Sequence, residues 1–503
     1  LLRFIKPTKS QRFANNGKTL QVISGFFLVA ILLLITGDIS ITTATPGTEF
    51  QRMLLGLLQP HWPPVTILAS LIFKTISYAL LGVAIAAVCG FLLSLIFHLR
   101  IVRIFCASLR SIHELFWGLL LVQFFGLQPL TGILALALPY SGMLAKIYAE
   151  ISQAAHIQNK AYLPVLSSSI SRFFYGKWPH VKTDLAHYTL YRFECGLRSS
   201  TILGFIGLPT IGFHLESAFM QGHYADVAGM LLIFYGLIAT IHWWGQFKLW
   251  PLYLVAALVY LWPDIIFPSD NTRWLIHQLI PAPFRETTVN FTDWLYPVLS
   301  EQLLPGLWQT LVTGHIALVL TAILALLLYP LLSRHFGNFS TRWTGHLSLV
   351  VLRSTPELIL GFAFLILWGP SLLPAIAALA VHNGAILAHL TGRFSDNIQL
   401  RPDVCNGINR YLYELTPRLF DQFLVLIFYR WEVIMRESAL LGILGLHTLG
   451  FFIDSAFESY RLDIALILII ASAILNISAD SVGRLLRQHL HLTEYHVKFQ
   501  AVK

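Results

Sequence analysis

Hydrophobic residues in this chain come in long, nearly unbroken runs, with none of the alternation of half-buried strands. Runs near 20–37, 65–97, 112–127, 131–150, 182–206 and 224–245 are followed by a second set near 249–267, 306–332, 347–368, 371–391, 418–444 and 460–484. A helix needs about 20 largely apolar residues to cross the hydrocarbon core of a bilayer, so the pattern predicts an all-α polytopic membrane protein with about 12 transmembrane helices in two sets of six. The 65–97 and 306–332 runs are longer than a span requires and are expected to tilt or project from the bilayer. Composition agrees: the 503 residues are 56% hydrophobic and 12% charged, and the mean hydropathy is +0.67. Soluble domains carry about 25% charged residues.

The net charge of +9 sits between the apolar runs rather than in one basic patch, which points to topology and away from nucleic acid. Arg3, Lys6, Lys9, Arg12 and Lys18 precede the first run; Arg100, Arg103 and Arg110, then Lys160, Arg172, Lys177 and Lys182, fill later gaps, and Arg334 and Arg342 follow in the second half. The opposite connections are balanced by Asp38, Glu49, Asp264, Asp270, Glu286, Asp293 and Glu301. Short basic loops stay cytoplasmic, so both termini are expected in the cytoplasm. No signal-peptide cleavage pattern precedes the first run, which is expected to stay as an anchor.

The two sets of spans are related. "RSIHELFWGLLLVQFFG" from Arg110 matches "RSTPELILGFAFLILWG" from Arg353, and "YRFECGLRSSTILGFIGLPTIGFHLESAF" from Tyr191 matches "YRWEVIMRESALLGILGLHTLGFFIDSAF" from Tyr429. With an even number of spans per unit, both repeats keep one orientation, giving a parallel repeat. The expected domains are a first repeat over 1–246 (core 65–245) and a second over 247–503 (core 306–486).

The second motif carries charge into an apolar segment. Arg192, Glu194 and Arg198 in the first half answer to Arg430, Glu432 and Arg436 in the second. Ionisable residues within spans are costly and face a partner or a polar cavity. Glu194 with Arg198, and Glu432 with Arg436, stand four apart and can pair within a helix, which lowers the cost of burial. The same arginines can also face a polar passage, where planar, permanently charged guanidinium groups suit an oxyanion. Both readings stand at this point. Arg110 with Glu114 and Arg353 with Glu357 have the same spacing at the start of a span and read as interfacial ion pairs. Gly204, Gly207 and Gly212, repeated as Gly442, Gly445 and Gly450, predict a helix end and a reversal.

Other chemistry is absent or weak. Cys89, Cys106, Cys195 and Cys405 are scattered, with neither a disulfide framework nor a CxxC metal pattern, so no metal or cofactor is expected. "NGKTL" at Asn16–Leu20 holds the Gly-Lys-Thr of a phosphate loop, but Arg12 replaces the leading glycine and a span follows, so it is set aside. His489, His491 and His496 read as structural.

These motifs resemble one family. Each half is similar to a permease domain of a type I ABC importer, most nearly the phosphonate-type permeases. The resemblance rests on Arg110–Trp117, Tyr175–Pro179 and Tyr191 through Gly207, and on Arg353–Leu360 and Tyr429 through Gly445. It implies two fused permease domains around one pathway, lined by Arg192, Glu194, Arg198, Arg430, Glu432 and Arg436, in the inner (plasma) membrane of a bacterium. It implies import of a phosphonate or a related phosphorus oxyanion (phosphate, phosphite), with no enzymatic activity in this chain. The implied partners are two cytoplasmic ATP-binding-cassette ATPase subunits and an extracytoplasmic solute-binding protein. Coupling helices within 153–180 and 395–417 would carry Ala161, Tyr175, Gly176, Pro179, Tyr411 and Pro417 as the ATPase contacts. The chain departs from the pattern at Asn159-Lys160-Ala161 and Ser169, and its second loop is shortened, which implies asymmetric coupling. A permease for another small solute, or a stand-alone secondary transporter with internal repeats, is the alternative. No HExxH, carboxylate pair or nucleophile motif supports a membrane enzyme.

Overall fold

The computed structural model describes residues 9–43, 45–154, 171–265, 272–401 and 407–492, and every regular element among them is helical. Residue contacts divide the chain into two compact units. One takes Phe50–Asn290 with Ala456–Ile469; the other takes Leu1–Glu49, Phe291–Ser455 and Ile470–His496.

The chain opens with α1 (Lys9–Thr36) and the short amphipathic α2 (Pro46–Leu58), followed by α3 (Val65–Leu95). Next come α4 (Arg100–Ser111), α5 (Glu114–Phe125) and α6 (Pro129–Ala154). α3 lies along α6, and two glycines let them approach: a Cβ on Gly82 or Gly90 would fall within 2.9 Å of Leu136 Cβ or 2.8 Å of Leu144 Cβ. Tyr78, Val83, Leu136, Tyr140, Leu144, Phe193 and Leu197 form the core of this half. One wide turn, Arg172–Lys177, leads into α7 (Trp178–Ile202). A tight turn at Leu203–Ile206 then ends in Gly207 at φ 89°, a left-handed conformation that costs glycine no Cβ clash. α8 (Ile211–Met220), α9 (Tyr224–Ala239) and α10 (Trp250–Leu261) complete the half.

The second half repeats this order. α11 (Leu304–Leu328), α12 (Phe339–Ser354), α13 (Glu357–Trp368) and α14 (Leu372–Asp396) answer to α3–α6. The wide turn Arg410–Leu415, α15 (Thr416–Leu440), Gly445 at φ 84°, α16 (Leu449–Glu458) and α17 (Leu462–His489) answer to α7–α9 and what precedes them. Inter-helix angles repeat as well. α4 meets α5 at 89° and α12 meets α13 at 92°; α7 meets α8 at 53° and α15 meets α16 at 47°.

The sharp bends have different local causes. In the second half Pro356 pushes Thr355 out of the helical region, to φ −67°, ψ 121°. In the first half His113 takes an extended conformation, and its Nδ1 accepts the Leu115 N–H at 3.2 Å as a helix cap. Arg110 and Glu114 flank the first of these bends of about 90°, and Arg353 and Glu357 flank the second.

Among the described residues, six helices are long and apolar enough to cross a membrane, and each of the four bent pairs can make one more, giving up to 10. The difference from 12 lies in α9 and α10, whose apolar helices are only 16 and 12 residues long. Both fall short of the ~20 that a straight span takes. Almost none of α1 is buried against protein; Leu28, Ile31, Leu32 and Ile35 are exposed, as an apolar helix in lipid would be. Its Phe26 ring stacks on His315 of α11 at 5.2 Å and meets Trp431 of α15 edge-on.

Candidate functional site

The repeated charged motif lies on α7 and α15, and all six of its expected pathway residues are half-buried. Arg192 is enclosed by tyrosines. Its Nε and Nη2 donate to the Tyr188 hydroxyl at 2.9 and 2.7 Å, and its guanidinium carbon lies 5.9, 5.3 and 5.6 Å from the ring centres of Tyr140, Tyr188 and Tyr191. Cation–π contacts of this kind are worth about 0.5–2 kcal/mol each, rising with desolvation. They offset the cost of holding a cation in an apolar helix. In the second half Tyr429 takes a different cation: Arg487 of α17 stands 3.9 Å over its ring.

The intrahelical pairing expected of Glu194 is not closed, since Glu194 makes no hydrogen bond or ion pair among the described residues. Arg198 Nη2 instead reaches Cys195 Sγ at 3.5 Å. Arg430 likewise makes no hydrogen bond or ion pair among the described residues.

Two turns beyond Arg192, on the same face, sequence reasoning missed a buried polar cluster. Ser199 of α7 donates to Glu114 Oε1 of α5, and the Tyr140 hydroxyl of α6 lies 3.0 Å from Ser199 Oγ. All three are buried. His113 Nδ1 accepts from a backbone N–H, so its other nitrogen carries the proton in the neutral ring; that nitrogen lies 3.8 Å from Glu114 Oε2. The same three helices of the second half bring Glu357, Asn383 and Glu437 together, with Asn383 Nδ2 donating to Glu437 Oε2 at 2.8 Å. Only the motif alignment, setting Ser199 against Glu437, held a hint of it.

Both halves fix the elbow after the motif helix with a threonine. Thr75 Oγ1 donates to Leu71 O at 2.7 Å and accepts from Ile211 N–H at 3.1 Å, the first residue of α8. Thr310 Oγ1 donates to Gly306 O at 2.7 Å and accepts from Leu449 N–H at 3.0 Å, the first residue of α16. Neither threonine is exposed at all.

Of the expected coupling residues, Ala161 lies outside the described residues. Tyr175, Gly176 and Pro179 stand where the wide turn enters α7; Tyr175 is 82% exposed and Phe174 beside it is also exposed. In the second half Pro417 holds the place of Pro179. Tyr411 is half-buried, stacked on Tyr329 at 5.5 Å with its hydroxyl donating to Leu326 O. At the register of Tyr175, four residues before the proline, stands Tyr413, which is 78% exposed. Glu414, buried where the first half has Gly176, is ion-paired to Arg418 at 2.6 Å and faces Arg401 at 3.7 Å.

Comparison with known proteins places these features. The chain is 24% identical over 424 residues to the phosphate-import permease protein of Mycolicibacterium smegmatis, covering 78% of this chain and 77% of that one. It is 25% identical over 232 residues to a phosphite transport system permease protein of Stutzerimonas stutzeri, 44% of this chain but 84% of the relative. A second, putative phosphite permease of that organism is 34% identical over 134 residues, 26% of this chain and 51% of the relative. One relative is thus matched by both halves together and another by a length equal to one half. No family model matches the chain, and no solved structure gives a significant match. The resemblance read from the motifs holds: the curated relatives are permeases of the phosphonate, phosphite and phosphate type, and this chain, with its multiple apolar helices, is a multi-pass membrane protein similar to them.

Proposed function

We propose that this chain is the membrane-spanning subunit of an ATP-driven importer for a phosphorus oxyanion, a phosphonate or its smaller relatives phosphite and phosphate. The observation that carries the reading is the duplicated module: a helix bent by about 90°, a long glycine-packed helix, and a charged helix ending in a left-handed glycine, present once in each half. Arg192, Arg198, Arg430 and Arg436, with Glu194 and Glu432, line the route of the anion. Guanidinium groups stay charged at all physiological pH and offer paired N–H donors to phosphoryl oxygens.

ATP hydrolysis is assigned to two separate cytoplasmic ATPase subunits, and substrate delivery to an extracytoplasmic binding protein. The exposed apolar tips Phe174–Tyr175 and Leu412–Tyr413 are the surfaces offered to the ATPases. Both termini are assigned to the cytoplasm of a bacterial inner membrane on the charge distribution.

The test is reconstitution of the chain in liposomes with its ATPase and binding protein. Phosphonate or phosphite is expected to stimulate ATP hydrolysis and to accumulate inside, while sulfate does neither. Uptake that persists without the ATPase, driven by an ion gradient, would establish a secondary transporter instead.

A further inference from the structure

The buried cluster of the second half differs from that of the first in one chemical respect. Glu357 (α13), His382 (α14) and Glu437 (α15) are all buried, and their carboxylate and imidazole ligand atoms lie within 4.8 Å of one another. His382 Nδ1 lies 2.9 Å from the Thr355 carbonyl oxygen. A carbonyl only accepts, so Nδ1 carries the ring proton, and in the neutral ring Nε2 presents a lone pair. That lone pair faces Glu357 Oε2 at 3.9 Å. Two electron-rich atoms therefore face each other at a distance too long for a hydrogen bond. In the first half the arrangement is reversed: His113 Nδ1 accepts, so a proton-bearing Nε2 faces Glu114.

Two further substitutions point the same way. The hydroxyl of Ser199 is replaced by the carboxylate of Glu437, and the phenol of Tyr140 by the amide of Asn383. Asn383 spends its N–H donors on Leu379 O at 3.0 Å and Glu437 Oε2 at 2.8 Å, while its Oδ1, in a side chain with no exposure, has no hydrogen-bond partner. The second half thus holds one more carboxylate and an unused buried amide oxygen.

We infer that Glu357, His382 and Glu437 bind a divalent first-row transition-metal ion. Two carboxylates and an imidazole, all three buried, are the oxygen and nitrogen donors that such an ion takes. An ion bound at about 2.0–2.2 Å to each ligand sets ligand atoms roughly 3.4 Å apart in a tetrahedron and at most about 4.2 Å. The 3.9 Å Nε2–Oε2 separation falls inside that window, and the 4.8 Å that bounds the whole set closes to it with a side-chain shift of about 0.6 Å. The His382–Thr355 and Asn383–Glu437 hydrogen bonds are the outer contacts that orient metal ligands. Such an ion would pin three helices of the second half, with no counterpart among the described residues of the first.

Zn²⁺ is the probe. The full-length chain, purified in detergent, is stripped with chelator, re-equilibrated with Zn²⁺, desalted and analysed for metal by mass spectrometry. Wild type is expected to keep about one Zn²⁺ more than the Glu357→Gln/Glu437→Gln variant, while Glu114→Gln keeps the wild-type amount. Zinc should also slow thermal unfolding of wild type and not of the double variant. X-ray absorption on wild type alone covers the case in which that variant fails to fold: a shell of oxygen donors with one imidazole supports the site. Two or more imidazoles, as from surface histidines, would overturn it. So would a wild type that retains no zinc, or a protonated-carboxyl infrared band that vanishes in Glu437→Gln, which would assign the cluster to shared protons.

Discussion

Replacing Thr75 by valine isolates one hydrogen bond at the elbow where the charged helix turns into α8. Valine keeps the shape of threonine and exchanges the hydroxyl for a methyl group, so packing in this fully buried position is preserved. What is lost is the acceptor for Ile211 N–H, held at 3.1 Å, and the donor to Leu71 O, which keeps its helical partner. A buried N–H left without an acceptor costs about 1–3 kcal/mol. At about 2 kcal/mol the local opening equilibrium shifts roughly 30-fold. A polytopic protein in detergent rarely unfolds reversibly, so the measurement is local: amide hydrogen exchange of the peptide covering residues 208–215. Thr75→Val should speed exchange at Ile211 by about 10- to 100-fold. Thr75→Ser, which keeps the oxygen, should change it by less than about threefold. The peptide around Leu449, served by Thr310, should be unaffected, because sites with no shared partners act independently. Thr310→Val should give the mirror result. If Thr75→Val exchanges like Thr75→Ser, the threonine does not hold the elbow and the reasoning fails.

Three further outcomes follow from the geometry. Tyr413→Ala should weaken co-purification of the ATPase as much as Tyr175→Ala, because both are exposed at the same register; Tyr411→Ala should instead lower thermal stability by about 2–4 kcal/mol through lost stacking and a lost hydrogen bond. A milder effect of Tyr413→Ala would restore the asymmetric coupling expected from the shortened loop. Gly207→Ala and Gly445→Ala should each cost about 1–2 kcal/mol, since both sit at positive φ, and equal stability on substitution would show that the turn relaxes. Single cysteines at Ser10, Ser269 and Thr493 in a cysteine-free background should be labelled by an impermeant thiol reagent from outside only at Ser269; labelling of Ser10 or Thr493 would reverse the topology.

The hydrophobic pattern and the two motif copies carried the architecture because they are local. Run length decides which helices can span, and the paired glycines mark where each helix must stop; both are visible without the partner helix. Helix breaks were less legible. Pro356 is a printed signal for the second bend, but the first depends on the His113 ring capping Leu115, which no spacing rule announces. The i, i+4 rule misled at Glu194–Arg198, where a helix is present but Glu194 makes no hydrogen bond or ion pair among the described residues. The buried clusters were invisible because their members are far apart: 85 residues separate Glu114 from Ser199 and 54 separate Asn383 from Glu437. Only packing of three helices brings them together.

The two halves agree in their mechanical parts and differ in their chemical ones, which is what fusion of a repeat permits. Two identical subunits must use one side chain for both copies of a position; a fused chain need not. Bends, left-handed glycines and elbow threonines recur, whereas the place of Ser199 is taken by Glu437, that of Tyr140 by Asn383, and that of the caged Arg192 by an Arg430 with no such cage among the described residues. This divergence supplies a sharper test of the proposed route than neutralising each Glu–Arg pair. Arg192→Gln removes two charge-assisted hydrogen bonds to Tyr188, each worth about 1.5–3 kcal/mol, so loss of transport there confounds folding with function. Arg430 makes no hydrogen bond or ion pair among the described residues, so Arg430→Gln should change thermal stability by less than about 0.5 kcal/mol. If the guanidinium serves the anion, uptake of phosphonate or phosphite by that variant should still fall about tenfold or more, as expected when a charge-assisted contact is lost from the route. A stable Arg430→Gln protein that imports at the wild-type rate would remove Arg430 from the route and leave Arg192, Arg198 and Arg436 as its candidates.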